Sequence, residues 1–480
     1  MRQLRQPSLP RAICAAALAV TLFSALLGAL TAAPAADARK GDKPGVRKGT
    51  KVQLRKGRKA HAREHAKHRH TRRDVDGDGI RNGRDRNVDG DRRRNVVDPD
   101  VDGDGRANDF DHDIDADGVD NAFDADSDAS GNRLEATAAT APVPPGFIGL
   151  ISDDASWGTD ADPSRQRTMA AIGGTGARVL RASFYWSIIE PQPGRYDFSL
   201  YDGYMTAAAK ANLSVFPILF DPPAFRSARP ASGARRGTYP PANYSDFAYF
   251  AARLVRRYGP GGEFWQRHPE LPQLPIRSWQ VWNEPNIPVC WPSGPNPAQY
   301  ASMLRAVGQG IKAVDPGAKV VTAGLNESEL GIKLVPFLRG MYRAGGKGSF
   351  DVLGLHPYAP ASDLVVAQIS RAVRELRRNG DPARVLVTEL GWATGTPSRR
   401  ALVVSEAGQA SLIRRTVTEL ARFRGRLRLD GIFYFNWRDV APPPGSGDHW
   451  GLHTGLFRQD GSAKPGLQAL TEVTSAISAG

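Results

Sequence analysis

The sequence predicts an α/β protein whose main body, residues 145–480, is a closed (β/α)8 TIM barrel set behind a long N-terminal region of different composition. Two observations carry the barrel. From Pro145 onward, apolar β-branched runs alternate with stretches of helical periodicity, and eight such units fit into about 335 residues. An open doubly wound sheet would carry a Gly-rich phosphate loop after its first strand, and none is present. A third observation sets the N-terminal region apart: its charge is segregated into blocks. The formal net charge of +14 arises from a basic stretch over 39–73, an acidic one over 74–128 and a mildly basic body. That distribution excludes a uniformly basic nucleic-acid-binding protein, and 41% hydrophobic with 24% charged residues is a globular balance.

The strands are read at FIGLIS from 147, VLRASF from 179, LSVFPILF from 213 and SWQVWN from 278. They continue at AKVVTAGL from 318, FDVLGLHPY from 350, RVLVTELGW from 384 and GIFYFNW from 431. Amphipathic helices are expected between them, for example over 363–379 and 406–424, and a last one over 464–477. The stretch GMYRAGGKGS near Gly340 misses the spacing of a phosphate-binding P-loop.

Ahead of the barrel, Arg2, Arg5 and Arg11 precede an apolar run over 12–33 and then small residues to 38. This is the pattern of a secretory signal peptide over 1–38, with an uncleaved membrane anchor as the alternative. Cleavage would remove Cys14, leave Cys290 alone and disulfide-free, and make the rest extracellular or cell-surface with no membrane segment. Residues 39–73 hold fifteen Lys and Arg against two acids, together with His61, His65, His68 and His70. Such a run buries too little to offset its ordering entropy and is expected to be a disordered basic arm. It would serve either as an arm for an acidic cell-wall polymer or as a solvated linker, with a histidine metal site a further alternative. Residues 129–144, rich in Ala, Thr and Pro, read as a linker.

Between arm and linker, residues 74–128 repeat with a period of 13, in blocks beginning at 74, 87, 100 and 113. Oxygen side chains recur at block positions 1, 3, 5, 9 and 12, with glycine at 6. They are Asp74, Asp76, Asp78, Asn82 and Asp85; Asp100, Asp102, Asp104, Asn108 and Asp111; and Asp113, Asp115, Asp117, Asn121 and Asp124. Clustered oxygen donors with a turn glycine suit a hard cation of six to eight ligands. One residue separates consecutive blocks, which leaves no room for the flanking helices of an EF-hand. The run resembles thrombospondin type 3 repeats, a resemblance that implies structural Ca²⁺ bound by these residues; an acidic disordered spacer is the alternative. In the second block Asn87 replaces the first Asp and Arg92 the glycine, which weakens the expectation of an ion there.

Two glutamates end two barrel strands. The fourth strand runs into WNEPN, with Asn283 and Glu284, and the seventh into TELGW, with Glu389 and then Trp392. Carboxylates at the C-terminal ends of barrel strands sit where these folds carry out chemistry. A facing pair suits glycoside hydrolysis, which needs one acid for the leaving oxygen and a second carboxylate beyond the sugar. These residues resemble the clan A glycoside hydrolases across the whole barrel. The resemblance implies Glu284 as acid/base, Glu389 as nucleophile, and no cofactor for catalysis. It also implies substrate contacts from Arg181, Asn283, His356 and Tyr358 of HPY, and Trp437 after strand eight. Where family 5 places a His after strand three this chain reads Asp221 in LFDPPAF, which brings it nearer family 39. The implied reaction is a retaining double displacement on an oligo- or polysaccharide. Trp186 and Trp392, like Trp437, fall at or just past strand ends and read as platforms for sugar faces. A non-catalytic surface carbohydrate-binding or adhesion protein is the alternative; a polyanion-binding protein acting through 39–73 is another.

Overall fold

The computed structural model describes residues 74–76, 78, 80–95, 98, 100–104, 114–116, 142–152, 163–395, 402–442 and 447–479. The expected signal peptide and basic arm lie outside the described residues. The described residues belong to two compact units, the repeats up to Ala116 and the barrel from Pro142.

Eight parallel strands close the barrel: β1 (Ile148–Ile151), β2 (Val179–Tyr185), β3 (Ser214–Phe220), β4 (Ser278–Val281), β5 (Lys319–Thr322), β6 (Val352–His356), β7 (Arg384–Leu390) and β8 (Leu429–Tyr434). Each pairs with its sequence neighbours, and β8 pairs with β1, so the sheet has no edge. A two-residue extension, Leu325–Asn326, continues β5 and pairs with β6. All eight strands fall where the β-branched runs place them. Helices α1 (Pro163–Gly174), α2 (Ser199–Lys210), α3 (Tyr244–Tyr258), α4 (Pro297–Val314), α5 (Leu334–Arg343), α6 (Ser362–Arg378), α7 (Glu406–Arg422) and α8 (Pro465–Ala479) follow the strands in turn.

Local chemistry starts several of these helices. Asn296 accepts from the Ala298 and Gln299 N–H groups, with Pro297 at the first helical position of α4. Asn243 caps α3 and Ser405 caps α7 in the same way. Among the described residues no helix is long and apolar enough to cross a membrane. The barrel begins earlier than the linker reading places it: Val143 is buried and its N–H donates to the Ile477 carbonyl of α8.

Inside the barrel, Ile151, Phe216, Val321, Val352 and Phe433 form an apolar cluster. Two residues further along, the same inward faces turn polar: Val179 leads to Arg181 on β2 and Leu386 to Thr388 on β7. The interior is thus apolar at one level and hydrogen-bonded at the next. Phe433 fits because Gly149 lies opposite it on β1; a Cβ there would stand 2.4 Å from the ring.

In the repeat unit, the apolar residue at block position 2 recurs as Val75, Val88, Val101 and Ile114, and these four side chains pack together. Position 3 makes the same turn in three blocks: Asp76, Asp89 and Asp102 each accept from the N–H two residues on.

Replacing Gly149 with Ala should therefore destabilise the barrel by about 1–3 kcal/mol, the usual cost of overpacking a core. Urea unfolding of the two proteins measures it. An unchanged midpoint would mean that Phe433 repacks at no cost.

Candidate active site

The polar end of the barrel interior is organised around one buried guanidinium. Arg181, 1% exposed, donates through Nε to Gln280 Oε1 at 2.7 Å, through Nη1 to Glu389 Oε1 at 2.7 Å and through Nη2 to Asn283 Oδ1 at 3.0 Å. Gln280 is itself fixed by donating to the Thr322 carbonyl and to Thr388 Oγ1. Glu389 takes a second hydrogen bond on Oε2 from the Tyr358 hydroxyl at 2.8 Å.

Glu284 arrives from the end of β4 through a bent backbone, with φ of 76° at Trp282 and 38° at Glu284. Both lie in the left-handed region, which costs non-glycine residues of order 1–3 kcal/mol each and clusters at functional sites. The bend brings Glu284 Oε1 to 2.6 Å from His356 Nδ1, and the same nitrogen lies 3.4 Å from Glu389 Oε2. His356 thus touches both carboxyl groups from within the barrel. Its ring fits only because position 324 is glycine, where a Cβ would fall 1.9 Å from Nε2. One donor atom from each of Glu284, His356 and Glu389 lies within 4.8 Å of the others, and all three residues are buried.

The electrostatics separate the two acids. Burial first, and then the charge of Glu389, push Glu284 well above the usual carboxylate range; the Asn326 amide beside it and Arg181 pull the other way. Its Oε2 is buried with no hydrogen-bond partner. Burial, aided by Arg181, holds His356 well below the usual imidazole range, so the ring is neutral. Burial and the two carboxylates keep the Tyr358 hydroxyl protonated. Burial likewise raises the Cys290 thiol, an inert group whose carbonyl accepts from Trp282 Nε1.

Six of the residues singled out in the sequence meet in this network: Arg181, Asn283, Glu284, His356, Tyr358 and Glu389. Arg181 and His356 differ from the expected role of sugar contacts, because both are buried: Arg181 spends its donors on Gln280, Asn283 and Glu389, and His356 turns Nδ1 onto the two carboxyl groups. The three tryptophans do not join the network. Trp186 is fully buried, stacked on Phe247 and Phe250, with Nε1 donating to Glu190. Trp392 is 1% exposed and donates to the Ala359 carbonyl. Trp437, 3% exposed, packs on Phe457. They fill the core, and among the described residues the tryptophan that meets the site is Trp450, whose centroid lies 4.9 Å from that of Tyr358, with Phe435 on the same ring at 6.5 Å.

Gln280, Asn326 and Gly324 were missed. Gln280 had a signal, as the one strongly polar side chain inside the apolar run SWQV. Asp221, at the end of β3, is half-buried and accepts from Ser187 Oγ at 2.5 Å; burial pushes its carboxyl up.

In the repeats, Asp74, Asp76 and Asp78 converge, as do Asp100, Asp102 and Asp104, each set within 4.8 Å. The second block does the same with Asp89, Asp91 and Asp98, and Arg92, at the glycine position, takes a left-handed conformation (φ 78°). Asn82 differs from the expected ligand. It is 1% exposed, its Oδ1 accepts from the Val75 N–H and its Nδ2 donates to the Ala116 carbonyl. Asn95 repeats the bond at the next block by accepting from Val88. Position 9 therefore ties the first two loops closed. Asn108, Asp111, Asp113, Asp117, Asn121 and Asp124 lie outside the described residues; Asp115 is buried.

A sequence model of glycoside hydrolase family 42, β-galactosidase, matches residues 156–228. No curated protein matches the chain. A glucosidase from Croceicoccus marinus is similar in structure, with TM-score 0.51 and 16% identity, over 71% of this chain and 69% of that one. A family 39 glycoside hydrolase from the gut symbiont Bacteroides cellulosilyticus WH2 gives 0.49 at 22% identity, over 69% of this chain. An exo-β-1,4-mannosidase from Opitutaceae bacterium strain TAV5 gives 0.47 at 18%, over 71%. The chain spans 64% and 63% of the lengths of these last two. At these identities the likeness is one of fold.

The raised Glu284 has a consequence for stability. The folded protein holds a proton there that the unfolded chain releases above about pH 4.3, so stability falls as pH rises from that value towards the raised one. Glu284→Gln, which mimics the protonated acid, should gain on wild type by up to about 1.4 kcal/mol per pH unit in that window. Urea unfolding across a pH series measures the gap, and a constant gap would mean that Glu284 titrates normally.

Proposed function

We propose that this protein is a secreted retaining glycoside hydrolase of clan A that cleaves O-glycosidic bonds of an oligo- or polysaccharide. The observation that carries the reading is the pair of buried carboxyl groups on β4 and β7, with oxygens within 4.8 Å, one ionically held and the other pushed towards protonation. Retaining enzymes keep their two carboxyls about 5–5.5 Å apart, whereas inverting ones leave room for a water between them. The match to the β-galactosidase model over 156–228, which includes Arg181 and the segment after β2, supports a β-linked substrate.

In this reading Glu389, oriented by Arg181 and Tyr358, attacks the anomeric carbon. Glu284 gives its proton to the departing oxygen, from a carboxyl held by neutral His356. Forming the glycosyl ester removes the Glu389 charge, so the pKa of Glu284 falls and it can take a proton from water in the second step. Asn283 spends its carbonyl on Arg181, which leaves the NH₂ end to donate to the sugar 2-hydroxyl.

We also propose that the repeats hold structural Ca²⁺. The residues fit. The three aspartate triads supply hard oxygen donors, Asn87 Oδ1 is buried with no partner, and burial together with neighbouring aspartates raises the Asp85 carboxyl. A bound cation would relieve that repulsion and compact the loops. Residues 39–73 remain a proposed contact for acidic cell-wall polymer.

The activity test is hydrolysis of a polysaccharide panel by the full chain. Glu389→Gln should lose on the order of 10⁴-fold or more in kcat, and the first-formed sugar, followed by NMR, should keep its anomeric configuration. An inverted product would overturn the double displacement, and full activity in the variant would overturn the assignment of Glu389. For the repeats, calorimetric titration with Ca²⁺ should give a stoichiometry one lower in Asp89→Asn than in wild type, since the amide keeps the turn but loses the charge. Equal stoichiometry would mean that the second block takes no ion.

A further inference from the structure

At the opposite end of the barrel from the carboxyl pair, the C-terminal half of α4 and the loop 344–351 that leads into β6 enclose a cavity of about 330 Å³. That volume is at the small end for ligand pockets. Arg305 and Lys312 reach it from one face of α4, Lys347 from the loop, and Asp351 is the only carboxylate among the residues that line it. Asp351 is paired with Lys312 at 2.9 Å. The other two cations are held by neutral oxygens: Arg305 donates to the Gly345 carbonyl at 2.7 Å and Lys347 to the Asn379 carbonyl at 2.7 Å. Their charges are positioned but not neutralised. Ser349 also lines the cavity, is 9% exposed, and its Oγ has no hydrogen-bond partner. A buried hydroxyl left unpaired is costly, and such a group marks a missing partner. The helix approaches the loop closely because position 308 is glycine, where a Cβ would meet the Ser349 carbonyl at 3.2 Å.

We propose that this cavity binds an oxyanion, a phosphate or carboxylate group, with Arg305 and Lys347 supplying charge and Ser349 Oγ donating a hydrogen bond. The site is independent of the carboxyl pair. Free phosphate and the uronate of an acidic glycan share this chemistry. A uronate would make the foot of the barrel a second point of attachment for an anionic polymer.

The test titrates the full chain with inorganic phosphate and, separately, with galacturonate, using calorimetry at low salt. At least one probe should bind wild type, and its Kd should rise about tenfold in Lys347→Gln and in Ser349→Ala, the effect of losing one charge-assisted contact. Ser349→Ala should unfold no earlier than wild type when no probe is present, because it removes an unpaired hydroxyl; this separates lost binding from lost fold. Binding of galacturonate alone identifies an acidic glycan, and binding of phosphate identifies a general oxyanion site. No binding of either probe to wild type overturns the proposal. So does equal affinity in wild type and both variants, which would locate the anion elsewhere, for example on residues 39–73.

Discussion

Two carboxyl groups with oxygens within 4.8 Å of each other, both buried, cannot share a dry site as two anions. One must be neutralised by a cation and the other by a proton, and the position of Arg181 decides which. Its guanidinium meets Glu389 at 2.7 Å and has no direct contact with Glu284, so the ion pair forms on β7 and the proton stays on β4. Most polar features of the barrel interior follow from burying that one cation. A guanidinium inside a barrel needs its donors satisfied, and Gln280, Asn283 and Glu389 meet that need on β4 and β7.

The same demand spreads outward. Gln280 must be held so that its carbonyl faces Arg181, and Thr322 and Thr388 hold it by accepting from its NH₂. His356 must be neutral to sit near a guanidinium, and burial makes it so. Its ring in turn excludes any side chain at position 324. A densely hydrogen-bonded network of this kind is rigid, since most of its buried donors and acceptors have one arrangement that pairs them. Two atoms are exceptions: His356 Nε2, packed against Gly324, and Glu284 Oε2, on the acid that in the proposed mechanism protonates a leaving group, are both buried without a partner.

The strands and both carboxylates were legible because they depend on local pattern. Parallel strands covered on both faces read as continuous apolar runs, and a Glu just past such a run lies at a strand's C-terminal end. The tryptophans were misread for a related reason. A strand end gives a residue's height along the barrel but not which way the ring turns, and Trp186 turns onto Phe247 and Phe250. Asn82 was misread because an amide in an acidic repeat looks like another oxygen donor, while only the fold shows both its polar atoms used by backbone. Asn326 is the second residue of the short extension of β5, and the AKVVTAGL run ends one residue before it.

The repeats rest on different physics. Each 13-residue block contributes one side chain, Val75, Val88, Val101 or Ile114, to a shared apolar column. One apolar side chain per block is a small core for a unit in which every residue must be ordered. The aspartates that converge beside this column repel one another and oppose its packing. Acid nevertheless stands at positions 3 and 5 of every block, and in the reading proposed above it is Ca²⁺ that would offset the repulsion and complete the fold of the repeats.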